Sequence, residues 1–117
     1  LKHTETNSGL IMEDLRWGTG EEAKPHDTVT IHYRGTFAVN GKTFDSSYDR
    51  NEPATFPLDR LIKGWQEGIP GMKVGSRRRL IVPPDLGYGP KDVKQGNTVI
   101  PGGSMLVFDI ELLGVKR

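Results

Sequence analysis

The chain contains no cysteine, which excludes disulfide bridges, thiolate nucleophiles and thiolate metal sites while fitting either a reducing or an oxidising compartment. Histidine is scarce. His3, His26 and His32 stand at no metal-ligand spacing with one another or with nearby carboxylates, so no metal and no cofactor are expected. An excess of one charge is also missing: 16 Lys and Arg against 15 Asp and Glu leave a net charge of +1, which gives no reason to expect nucleic acid or an anionic membrane as partner. No apolar run approaches the roughly 18 residues that cross a bilayer, so the chain is expected to be soluble. No GxGxxG or Walker pattern opens a helix. Of the serines at 8, 46, 47, 76 and 104, none lies in a nucleophile elbow, and Ser46 and Ser47 read as parts of a hydrogen-bonded turn. The run Arg77, Arg78, Arg79 is the one dense cationic stretch; strand neighbours point to alternating faces, and it reads as a solvated strand start rather than a phosphate site.

At 117 residues the chain is expected to form one domain around one core. It begins at Leu1 with no signal-like apolar segment, so a processed product or an excised domain is expected, in the cytoplasm or exported after processing. Residues 1–8 are polar and aperiodic and are expected to be a loose leader, with the domain over 9–117. Leu10 to Trp17 suits a first strand. From Thr28 to Phe37 the alternation is clear, with Val29, Ile31 and Tyr33 on one face and Thr28, Thr30, His32 and Arg34 on the other. Asn40-Gly41 suits a tight hairpin turn, and Lys42 to Phe44 starts the returning strand. DSSYDRNEP reads as a loop, and Thr55 and Phe56 resume extended structure.

Leu58, Leu61, Ile62 and Trp65 then recur at spacings of three and four, which predicts a short amphipathic helix of about two turns. Asp59 is its expected N-cap and Gly68 its stop. So short a helix is marginal alone and must be held by packing, with Trp65 as its largest apolar group. Arg79 to Val82 is a strand that Pro83-Pro84 ends. Leu86 to Gly103, with five glycines and two prolines, reads as a long surface loop of a kind that is usually functional. Met105 to Leu113 closes the chain as a central strand with Leu106, Phe108, Ile110 and Leu112 on one face. Strands around one helix imply an α+β fold, an antiparallel sheet with the helix across one face.

What remains for chemistry is aromatic: Tyr33, Phe44, Phe56, Trp65, Tyr88 and Phe108 fall on strands, helix and long loop where a curved sheet could gather them. By residue type alone this is an aromatic core. Two phenols that need hydrogen-bond partners, with Asp45 and Arg50 in the charged loop beside them, suit a site as well.

In order along the chain, VTIHYRGTF, NGKTFDSSYDRNEP, LIKGWQEGIPGMKVGSRRRLIVPPDLGYG and VIPGGSMLVFDIELL together resemble the FKBP family of peptidyl-prolyl cis-trans isomerases, the macrolide-binding immunophilins, over residues 9–115. The resemblance implies a five- to six-stranded antiparallel sheet wrapped around the helix, with a shallow apolar pocket between them. It places Trp65 at the pocket floor, its ring partly open to solvent, with Tyr33, Phe44, Phe56 and Phe108 as walls. Leu61 and Ile62 fall at the edge, where the Ile62 amide donates to a ligand carbonyl, and Val99 and Ile100 close another side. The Tyr88 hydroxyl bonds the bound peptide, and Asp45 faces the pocket with Tyr33 and Arg50 as partners. Asp45, Tyr88 and Tyr33 are thus the implied catalytic residues. The implied partners are Xaa-Pro segments of proteins or peptides and rapamycin-type macrolides, bound by a monomer. The same pocket could instead serve a non-catalytic proline-peptide-binding or chaperone module. Two departures bear on preference. Ala54 stands at the rim where the family often has a bulky aromatic, which implies a lower wall and weaker macrolide binding, and the segment GPKDVKQGNT is longer and more charged than in compact members.

Overall fold

Period-two burial runs through the longest strands, and it decides which side chains face the helix. In the computed structural model, which describes residues 2–95 and 98–116, the strands are Lys2–Glu5 (β1), Ile11–Arg16 (β2), Thr28–Phe37 (β3), Thr43–Ser46 (β4), Ala54–Pro57 (β5), Arg77–Val82 (β6), Val93–Gln95 (β7), Thr98–Ile100 (β8) and Leu106–Lys116 (β9), with one α-helix, Lys63–Gly68 (α1). The main sheet is antiparallel in the order β1-β2-β6-β9-β3-β4, and β5 pairs with the other half of β3. It holds seven strands rather than five or six, because β1 adds an edge. Residues expected to be a loose leader are therefore in part sheet, with Thr4 opposite Met12 and Glu5 opposite Ile11. Strand β9 is central, and its Leu106, Phe108, Ile110 and Leu112 are buried with Val29, Ile31 and Tyr33 of β3 and Leu80 and Val82 of β6. Among the described residues no helix is long and apolar enough to cross a membrane.

The helix differs from its expected form. Leu58–Arg60 makes one 3-10 turn, Leu61 and Ile62 are extended, and only then does α1 begin, with Ile62 and not Asp59 at its N-cap. Pro57 enters the turn extended, and no side chain caps either element, so packing supplies what capping does not. The break sends Leu58 into the core and leaves Leu61 and Ile62 half-buried. Two glycines let α1 lie close on β6: a Cβ on Gly64 would stand 2.8 Å from Val82 Cγ1, and one on Gly68 2.6 Å from Leu80 Cδ2. Glycine lowers helix propensity by about 1 kcal/mol, so these two trade local stability for that approach.

Arg78 corrects the reading of the arginine run as solvated. Its register on β6 puts it on the inner face with Leu80 and Val82, and it is only 8% exposed. There its Nε donates to Asp14 at 2.6 Å and its Nη1 to the Gly68 carbonyl at 2.9 Å, tying the end of α1 to β2. Arg77 and Arg79 point outward, Arg77 to the Tyr48 hydroxyl and Arg79 to Asp109.

The 86–103 stretch is also more ordered than a loop. A 3-10 turn spans Pro84–Leu86, and β7 pairs antiparallel with β8. The base of this pair is closed by the Gly102 N–H on Asp92 and the Gly103 N–H on the Gly89 carbonyl. At the β3–β4 turn only Gly41, not Asn40, has a positive φ. Five residues separate β3 from β4, and the Phe37 N–H donates to the Lys42 carbonyl, so the connection is longer than the tight turn expected from Asn-Gly.

Candidate active site

Neighbouring residues of a strand normally point to opposite faces, yet Phe44 and Asp45 line one cavity. A bulge in β4 is the reason. Gly35 pairs with Asp45 and Thr36 with Thr43, so Phe44 is an extra residue with no partner on β3, which re-aims the side chains around it.

Asp45 is held in a closed triangle. Its Oδ2 accepts from the Tyr33 hydroxyl at 2.8 Å and its Oδ1 from Arg50 Nη1 at 2.7 Å, while Arg50 Nη2 donates to the Tyr33 oxygen at 2.9 Å. Burial pushes the Tyr33 phenol pKa up, and the bond to Asp45 pushes it further against the opposing effect of Arg50. The phenol is therefore a neutral donor at neutral pH. Hydrogen bonds to Asp45 and then Tyr33 raise the guanidinium pKa of Arg50.

The turn carrying Asp45 and Arg50 is stitched to β3 where β3 changes partner. β5 covers Thr28–Ile31 and β4 covers Arg34–Thr36, which leaves the Tyr33 peptide between them. Ser47 fills the gap: its Oγ accepts the Tyr33 N–H at 2.7 Å and its N–H donates to the Tyr33 carbonyl at 2.9 Å. Sequence reading assigned Ser47 to a turn and missed this role, for which two serines after Asp45 are the only signal. The same Oγ meets His32 Nδ1 at 2.8 Å, and the His32 ring stacks on Tyr48 at 4.5 Å.

Trp65 projects from α1 into the aromatic set. It meets Phe108 at 5.0 Å, Tyr33 at 5.2 Å and Phe56 at 6.3 Å, each near edge-to-face. Its ring is only 6% exposed, less open than expected, because these three rings cover its edges. Its buried Nε1 has no hydrogen-bond partner among the described residues.

Together Tyr33, Phe44, Asp45, Phe56, Leu61, Ile62, Trp65, Tyr88 and Phe108 line a cavity of about 120 Å³. At its rim the Ile62 N–H and the Tyr88 hydroxyl make no hydrogen bond among the described residues. Burial, and then the charge of Asp45, pushes the Tyr88 phenol pKa up, so it too stays a donor. The arrangement offers an apolar hollow, one carboxylate and two rim donors. Among the described residues no group of three His, Asp or Glu could hold a metal.

Residues 19–113 match the family model for FKBP-type peptidyl-prolyl cis-trans isomerase. The chain belongs to the FKBP-type peptidyl-prolyl cis-trans isomerase family. This FKBP domain is 46% identical over 111 residues to FkpA of Escherichia coli K12, covering 95% of the chain but 39% of that protein, so it spans about two fifths of that relative's length. It is 48% identical over 104 residues to a probable FK506-binding protein of Corynebacterium glutamicum, covering 89% of the chain and 85% of that protein. Its fold matches the crystal structure of Escherichia coli FkpA with a TM-score of 0.88 at 43% identity, over 98% of this chain and 52% of that one. It matches AtFKBP13 with a TM-score of 0.86 at 39% identity, over the whole of both chains.

Of the twelve site residues expected from the resemblance, the nine lining the cavity are brought together in the FKBP domain, and Arg50 stands behind them on Asp45 and Tyr33. Val99 and Ile100 do not close the cavity as expected. Pairing with β7 places Ile100 in the core at 1% exposure, and Val99 lines a separate groove. Ala54 lies opposite Ile31 on β5 and is not part of the cavity lining.

Proposed function

We propose that this chain accelerates rotation about Xaa-Pro bonds in the cavity floored by Trp65, without covalent chemistry. Planarity of the bond rests on amide resonance, with a barrier of roughly 18–20 kcal/mol. Twisting abolishes that resonance and reduces charge separation, so an apolar hollow disfavours the planar ground state more than the twisted one. A million-fold acceleration requires about 8 kcal/mol of such differential stabilisation. Trp65 and the rings around it seat the pyrrolidine, the Ile62 N–H and the Tyr88 hydroxyl hold carbonyls of the chain, and Asp45, oriented by Tyr33 and Arg50, acts electrostatically on the rotating carbonyl.

One observation carries this reading: a small apolar cavity whose rim presents two donors with no partner among the described residues, beside a pre-oriented carboxylate. One chain supplies every cavity residue, so a monomer suffices. Rapamycin-type macrolides are the expected small-molecule ligands. The test is competition: rapamycin is expected to abolish turnover of a Leu-Pro peptide by the folded protein, whereas turnover that persists under saturating rapamycin would place catalysis outside this cavity.

A further inference from the structure

A second concavity lies beside the cavity. This groove of about 470 Å³ runs between β4 with its turn and strand β8, lined chiefly by Phe37, Val39, Lys42, Thr43, Val99 and Pro101. Val39 is 90% exposed and Val99 54%, unusual for branched aliphatic side chains on a folded surface. The groove continues the wall of the cavity: the Phe37 ring on the groove side packs on the Phe44 ring on the cavity side at 5.0 Å, and Thr43 precedes Phe44. Strand β4 pairs on one side only, with β3, so its outer edge is open to an extended chain among the described residues. Among the described residues Lys42 is the only charged side chain in the lining.

We propose that this groove receives the substrate chain on one flank of the proline, and that it favours an extended segment carrying an apolar side chain and a carboxylate. The occupant follows from continuity, since a chain leaving the cavity over Phe44 enters the groove within about three residues at the rise of an extended strand. Its chemistry follows from the lining: Val39, Val99 and Pro101 take the apolar side chain, and Lys42 takes the carboxylate. The proposal rests on the cavity being the proline site.

Peptides sharing one Leu-Pro core test both levels. One is a tetrapeptide, others add a Leu-Glu pair about three residues before or after the proline, and controls carry Leu-Lys there. Turnover is read as kcat/KM and binding as a calorimetric Kd, for the wild type, Lys42→Glu and Val39→Ser. A Leu-Glu extension on one flank is expected to raise kcat/KM and tighten Kd roughly threefold to tenfold. Lys42→Glu removes that gain and transfers it to the Leu-Lys peptide, Val39→Ser reduces it, and neither changes the tetrapeptide. Equal values for extended and short peptides, or a gain that survives Lys42→Glu, overturn the groove while the cavity reading stands. Charge-dependent tightening without turnover of any peptide supports the groove and overturns the isomerase reading instead.

Discussion

Replacing Asp45 by Asn keeps the shape of the side chain and removes its charge, and the structure sets the consequences apart. The Arg50 ion pair at 2.7 Å joins a guanidinium side chain that is 49% exposed, so its loss amounts to less than about 1 kcal/mol. The Tyr33 hydroxyl is buried more deeply, and exchanging its charged acceptor for a neutral one lowers a bond of about 1.5–3 kcal/mol to about 0.5–1.5. The expected loss of stability is therefore about 1–2 kcal/mol, well within the 5–15 kcal/mol typical of a domain, and the variant folds. Turnover responds differently. If the carboxylate acts on the rotating carbonyl, losing about 1.4 kcal/mol of that interaction lowers kcat/KM roughly tenfold. Arg50→Met is the control, since it loosens the anchor and keeps the charge, and its kcat/KM is expected to fall much less. Both are read by a protease-free isomerisation assay on a Leu-Pro peptide, alongside urea unfolding. Asp45→Asn turnover within twofold of wild type, or an equal loss in Arg50→Met, would reduce Asp45 to an anchor for its loop.

Tyr88→Phe removes a hydroxyl that has no partner within the described protein, so stability is expected to stay within about 0.5 kcal/mol of wild type while kcat/KM drops about threefold to tenfold; a shifted urea midpoint with unchanged turnover would contradict its assignment. Arg78→Met strands the Asp14 carboxylate at a mostly buried site and frees the end of α1, and about 3 kcal/mol is expected to be lost, with Arg78→Met/Asp14→Leu recovering much of it, both measured by urea unfolding. The phenols of Tyr33, Tyr48 and Tyr88 are all raised above the ordinary 10.0, chiefly by burial. The folded state thus holds their protons more tightly, and the associated stability is complete below pH 10 and declines above it. Glu111 shifts the other way: burial raises its pKa, but hydrogen bonds from Arg16 and Tyr48 outweigh that and lower it from 4.5. Its contribution is present above pH 4.5 and is lost as acid protonates the folded carboxyl, and Glu111→Gln is expected to flatten the acid limb of the stability curve.

Much of this was legible in sequence where one period dominated. Strand β3 carries the bounds its alternation predicts, and the inner face of β9 is the one read from Leu106, Phe108, Ile110 and Leu112. Legibility failed where tertiary contact overrode a local pattern. Spacings of three and four joined Leu58 to Trp65 in one helix, but Leu61 and Ile62 are extended, and that break is what frees the Ile62 N–H at the rim. Arg78 reads as exposed by type and is buried by its register on β6, a position that becomes tenable only with Asp14 and the Gly68 carbonyl at hand. Nor can spacing reveal that a bulge turns both Phe44 and Asp45 to one cavity, or that Ser47 replaces a missing strand partner for Tyr33.

The most direct measurement is a protease-free cis-trans isomerisation assay of the folded chain on a Leu-Pro peptide. The account predicts strong catalysis that is saturable and much reduced in Trp65→Ala. Properly folded protein that binds the peptide yet leaves its rate of isomerisation at the uncatalysed value would contradict it and make the cavity a binding site alone.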